Sequence, residues 1–110
     1  MTPTAAARAS QGTQTLRERL KDPSLLRDRC YLDGAWVGTP VLAVNNPATG
    51  VELAKIPQMS AADCTQAVEA AARAFPAWAK LTAKQRSNIL RKWYELIVAN
   101  REDLALILTS

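Results

Sequence analysis

Residues Ser60 to Thr109, SAADCTQAVEAAARAFPAWAKLTAKQRSNILRKWYELIVANREDLALILT, decide how this chain is built. Two helix-start signatures stand in the stretch. Ser60 is followed three residues later by Asp63, and Thr82 three residues later by Gln85. An N-cap hydroxyl accepts from the third backbone N–H of a starting helix, and the acid or amide at that position reaches back. Asp63 is a shorter and weaker partner than Gln85. After Ser60 the residues Cys64, Ala67, Val68, Ala71, Ala72 and Phe75 recur at spacings of three and four, and after Thr82 so do Ile89, Leu90, Trp93, Leu96 and Ile97. That is the period of a helix with one buried face. Pro76 is expected to end or kink the first helix near Phe75, because proline lacks an N–H and crowds the preceding turn. The second helix is expected over Ala83 to about Ala99. Asn100 reads as a third N-cap, with Glu102 and Asp103 suiting the positive helix end.

Upstream lies what those faces are expected to rest on. Met1 to Thr15 carry little apolar surface and one charge, Arg8, and read as a disordered tail, residues 1–15. An Arg-bearing, acid-free start also resembles a transit peptide, but no amphipathic face supports that. Leu16 to Leu20 suggest a turn of helix. Asp22-Pro23-Ser24 reads as an N-cap with proline at the first helical position, opening a short helix that ends near Arg29. Cys30-Tyr31-Leu32, Asp33-Gly34 and Ala35-Trp36-Val37 read as a β-hairpin, since Asp-Gly favours the tight turn whose twist matches its strands. Gly38 and Pro40 end it. Val41 to Asn45 and Val51 to Ile56 flank the turn residues Asn46-Pro47-Ala48-Thr49-Gly50. Val51, Leu53 and Lys55 are expected on one side of their strand, which Pro57 stops. The expected class is α/β: a short helix, two hairpin-like strand pairs, then two to three helices.

Composition bounds the chemistry. The chain is 48% hydrophobic and 22% charged, ordinary for a soluble globular protein, and its 110 residues allow one domain at most. No apolar run approaches the roughly 18 residues that span a bilayer. A net charge of +4 permits a polyanion partner without requiring one. There is no histidine, which removes the commonest general base and metal ligand. Cys30 and Cys64 are too few and too far apart for a zinc site. No apolar leader follows Met1, so both are read as reduced thiols of a cytoplasmic protein.

No constellation rises to a site. Cys64 lies in the first turn of a helix, where the dipole lowers a thiol pKa, but it shares the apolar face and is read as core. Asp22, Asp28 and Asp33, or Glu102 and Asp103, make acid pairs only on paper; each has a role as cap, turn or solvated charge. Gly34, Gly38 and Gly50 are isolated turn glycines, and no phosphate-cradling glycine loop is present. Lys80, Lys84, Arg86, Arg91, Lys92 and Arg101 make the helical block basic. Trp93 shares its face with Leu90 and Ile97, so it is read as core rather than as a base-stacking platform. No catalytic, cofactor-binding or metal-binding residue is nominated. The helix after Thr82 needs more to pack on than two strand pairs provide. The segment therefore reads as incomplete as a domain.

The order of these pieces resembles the N-terminal segment of the aldehyde dehydrogenase superfamily. The matching residues are Asp33-Gly34-Ala35-Trp36, Asn46-Pro47-Ala48-Thr49-Gly50, Ile56-Pro57, Ala67 to Trp78 (AVEAAARAFPAW), Arg86 with Leu90, and Arg101-Glu102-Asp103-Leu104-Ala105. Leu81 to Ile97 looks closest to the bacterial NADP-preferring succinate-semialdehyde dehydrogenases. The resemblance covers about residues 22 to 110. It implies that residues 16–110 are the first part of a Rossmann-like cofactor-binding domain, contributing strands and helices to its outside. It implies oxidation of an aldehyde, with succinic semialdehyde expected, to the acid by NADP or NAD, in an enzyme that is a homo-oligomer when complete. In that family a cysteine thiolate attacks the aldehyde, hydride passes to nicotinamide, and water hydrolyses the thioester with help from a glutamate. Those residues and the cofactor loops lie downstream of this stretch, and neither Cys30 nor Cys64 matches the nucleophile. The family continues past Thr109 with Glu and then Gly-Lys-Pro. This chain alone is therefore expected to bind no cofactor and to have no dehydrogenase activity, with neither nucleic acid nor membrane as partner. Two rival readings are a small helical interaction module without catalysis and a basic nucleic-acid binder.

Overall fold

The computed structural model describes residues 14–110. The thirteen residues before Gln14, which hold most of the expected tail, lie outside the described residues. Four helices, a 3-10 turn and four strands follow in order: α1 Leu16–Arg19, the turn Pro23–Leu25, β1 Cys30–Leu32, β2 Ala35–Val37, β3 Pro40–Asn45, β4 Glu52–Pro57, α2 Ala61–Lys80, α3 Ala83–Ala99 and α4 Arg101–Thr109.

Both capping boxes form. The Ser60 hydroxyl accepts from the Asp63 N–H at 3.2 Å and the Ser60 N–H donates to the Asp63 carboxylate at 2.7 Å. The Thr82–Gln85 pair does the same at 3.2 and 2.9 Å. A third box opens α1, where Thr15 and Glu18 cap reciprocally. Thr15, placed in the tail on composition, is thus an N-cap. Asn100 ends α3 and starts α4 without a side-chain cap, because its Nδ2 donates backwards to the Leu96 carbonyl at 2.9 Å.

The strands form two separate antiparallel pairs. In β1–β2 the register sets Tyr31 against Trp36 and Leu32 against Ala35, leaving Asp33 and Gly34 as the turn. Both turn residues have positive φ, +49° and +80°, the geometry of the tight hairpin turn. The Tyr31 and Trp36 rings meet edge to face at 5.2 Å between centroids, and the Arg27 guanidinium lies 4.4 Å above Trp36. In β3–β4 the Asn46 side chain accepts from the Ala48 and Thr49 amides, and Gly50 at φ +73° closes the turn onto the Asn46 carbonyl at 2.7 Å. Bulges at Val41 and Leu53 break simple alternation along this pair. Val51 therefore falls outside the strand and is exposed, while Leu53 and Ala54 are half-buried together.

Three expectations are corrected. The helix after Ser60 does not end near Phe75 but runs through Pro76 to Lys80. Proline removes only the hydrogen bond to the Ala72 carbonyl, which lies on an exposed turn open to water, and the flanking alanines are strong helix formers. The helix expected from Pro23 to near Arg29 is a single 3-10 turn. The Arg17 guanidinium takes the Pro23 and Leu26 carbonyls at 3.0 Å each, and Leu26 turns extended. The third correction concerns burial. Among the described residues the buried apolar side chains are Leu16, Leu20, Pro57 and Ala70. Cys64 and Trp93, read as core, are exposed.

Candidate functional site

The chemistry-bearing residues do not converge. Among the described residues no three His, Cys, Asp or Glu side chains come together. Asp22 accepts from the Ser24 amide as a cap. Asp33 faces Arg73 on α2 at 3.5 Å. Glu102 lies 3.7 Å from Arg101. Asp103, nominated only as a helix-end acid, is the buried member of the set. Its two carboxylate oxygens accept from the backbone N–H groups of Lys21 at 3.0 Å and Asp22 at 2.8 Å. Those amides, Asp22 first, hold the Asp103 carboxyl below its ordinary value near 3.8. Asp63 is lowered as well, chiefly by the Ser60 N–H and then its hydroxyl.

A nucleotide cradle needs free backbone N–H groups at a helix start or in a glycine-rich bend. The described residues do not fit. The Asp63 N–H of α2 and the Gln85 N–H of α3 are taken by the Ser60 and Thr82 hydroxyls, and the Asp63 charge repels phosphate at the first of these ends. Gly38, at φ +94°, is no opening either: a Cβ there would sit 2.7 Å from the Pro57 Cβ. The glycine serves the close approach of β4 to the hairpin.

Of the seven cations of the helical block, Arg73 pairs with Asp33 and three are engaged within the block. Arg86 donates to the Leu81 carbonyl at 2.6 Å, tying α3 to the end of α2. Arg91 pairs with Glu95, and Arg101 with Glu102.

The distinctive surface is apolar. On α3, Ile89, Leu90, Trp93, Leu96 and Ile97 are between 45% and 63% exposed, and Val68 and Phe75 on α2 are 64% and 66% exposed. The hairpin covers a different strip of α2. Ala67, Ala70, Ala71 and Ala74 line a groove of about 370 Å³ with Tyr31 to Gly34. Small side chains let the hairpin turn come near the helix, and they leave the larger apolar residues uncovered. The period in the sequence reported that these faces are made to be buried. It says nothing of what covers them.

The sequence pattern of the Aldehyde dehydrogenase family matches residues 36–110. The 3-sulfolactaldehyde dehydrogenase of Pseudomonas putida is 53% identical over 94 residues, covering 83% of this chain and 19% of that protein. The NADP(+) succinate-semialdehyde dehydrogenase of Escherichia coli is 39% identical over 94 residues, covering 83% of this chain and 20% of that protein. The crystal structure of succinate-semialdehyde dehydrogenase from Burkholderia pseudomallei superposes with a TM-score of 0.77 at 46% identity, covering 83% of this chain and 20% of that one. The chain spans about a fifth of the length of the relatives it matches. On the match over residues 36–110, with strand pairs and helices superposing on a member's structure, the chain belongs to the aldehyde dehydrogenase family.

Proposed function

We propose that this chain is the N-terminal segment of an NAD(P)-dependent aldehyde dehydrogenase, and that its own part is structural. It builds the outside of the cofactor-binding domain and lays the apolar faces of α2 and α3 against residues that follow in the whole enzyme. The observation that carries this is the exposed strip Ile89, Leu90, Trp93 and Ile97 on a chain that spans about a fifth of its relatives' length. The substrate class is an aldehyde bearing an anionic group at its far end. The relatives' names support it, one acting on a sulfonate-bearing aldehyde and one on succinic semialdehyde. Succinic semialdehyde is the member we favour, with NADP or NAD as oxidant, in a cytoplasmic homo-oligomer. No residue of this chain touches the reacting atoms in this reading, so the chain alone neither binds the nucleotide nor turns over.

Two assays test it. Purified chain with succinic semialdehyde and NADP or NAD should form no reduced nucleotide above a protein-free blank; steady formation would overturn the inactive reading. The chain should also restore dehydrogenase activity when co-expressed with the Escherichia coli relative lacking its own N-terminal fifth. Failure to bind that truncated partner would overturn the structural role.

A further inference from the structure

We infer that residues 15–26 form a strap that closes reversibly as one body onto the first turn of α4, with Asp103 as the latch that positions it. Three observations place the device. The strap is braced within itself: Thr15 with Glu18, Asp22 with Ser24, and Arg17 with the Pro23 and Leu26 carbonyls. It is held to the far end of the chain by the two Asp103 bonds, made across 82 and 81 residues of sequence. Its border with the β3–β4 pair carries two grooves, with Leu16 and Leu20 buried. An open groove of about 410 Å³ separates Thr15, Arg17 and Leu26 from Pro40, Leu53 and Lys55, and another of about 280 Å³ separates Leu16 and Arg19 from Asn46 and Val51.

A body rigid within, joined by two hydrogen bonds and two buried leucines, opens before the helices melt. The Asp103 carboxylate offers two acceptors and no donor, which matches two adjacent backbone N–H groups. An amide in its place presents an NH₂ to one of them. The inference concerns the closure of this chain on itself and stands apart from any dehydrogenase role.

Trypsin reads the latch directly, because the Asp22 N–H belongs to the peptide bond cleaved after Lys21. In the full chain, Asp103→Asn should speed cleavage after Lys21 by about tenfold. Cleavage after Lys84 and Lys92, and the helical circular dichroism signal, should stay unchanged. Asp103→Glu, which keeps the carboxylate, should restore most of the protection. Leu16→Ser, which loosens the strap and leaves Asp103 alone, should give the same first product as Asp103→Asn. Equal cleavage after Lys21 in the parent chain and Asp103→Asn would overturn the latch. So would general digestion of Asp103→Asn with loss of helix, which would make Asp103 a support of the whole fold.

Discussion

At the scale of single residues, Asp103 is the side chain whose surroundings depart furthest from what its neighbours in sequence suggest. An acid in the first turn of a helix is ordinary and is satisfied by the dipole alone. Here it is 7% exposed and spends both oxygens on the Lys21 and Asp22 amides. Its carboxyl is lowered first by the Asp22 N–H, then by the Lys21 N–H, with the Lys21 charge adding and desolvation opposing. A carboxyl lowered on folding contributes stability that is complete above its unfolded value and is lost as pH falls through the folded one. The strap contact should therefore be intact above about pH 4 and weaken below it. The Lys21 and Asp22 amide proton shifts, followed by NMR, should titrate together with a midpoint below 3.8, and Asp103→Asn should flatten both curves. A midpoint at or above the ordinary carboxylate value would contradict the hydrogen bonds. Gly38 makes the complementary case, a residue whose importance is what it lacks, since a Cβ would strike Pro57.

At the scale of elements, the local signals were legible and the distant ones were not. Asp33-Gly34 specifies its hairpin because two positive φ values and the strand twist are demanded within four residues. Asn46 to Gly50 closes through bonds inside its own turn. The boxes at Ser60 and Thr82 likewise need only a hydroxyl and a partner three residues on. Each of these arguments fails where a partner comes from elsewhere. The turn at Pro23 stops short because Arg17, outside the motif, takes its carbonyls. Pro76 leaves α2 unbroken because the exposed turn lets water serve the orphaned carbonyl. The absence of a nominated site came from the missing histidine and glycine loop, and the uncovered faces read as core because period reports which side is apolar without reporting what covers it. The caps are open to test at this scale. Thr82→Ala should destabilise the start of α3 by about 1 kcal/mol. Hydrogen exchange of its first-turn amides should rise roughly fivefold while those of α2 stay fixed. An unchanged rate would mean that the Arg86 bond to the Leu81 carbonyl holds the junction by itself.

At the scale of the whole molecule, the shape and the surface give one answer. A compact domain of about 100 residues has a radius of gyration near 13 Å. This chain has 19.7 Å and extents of 68 × 34 × 19 Å. Helices and strand pairs are formed, yet Trp93, Tyr94 and Leu96 on one helix are each more than 60% exposed. A contiguous apolar face of that kind finds a partner or pairs with itself. The isolated chain should therefore bind a hydrophobic dye, associate in sedimentation, and melt over a broad range by circular dichroism. Trp93→Ser combined with Ile97→Ser removes the centre of the face without touching a cap, a turn or the strap. That variant should lose dye fluorescence and shift to monomer while keeping its helical signal, because both side chains are exposed, Trp93 by 63% and Ile97 by 45%. The outcome that would sink this account is a parent chain that stays monomeric, dark to the dye and sharply cooperative on heating. Such a chain would be a self-sufficient helical module, and the apolar face would then have to be covered by a rearrangement that brings α3 back onto the strand pairs.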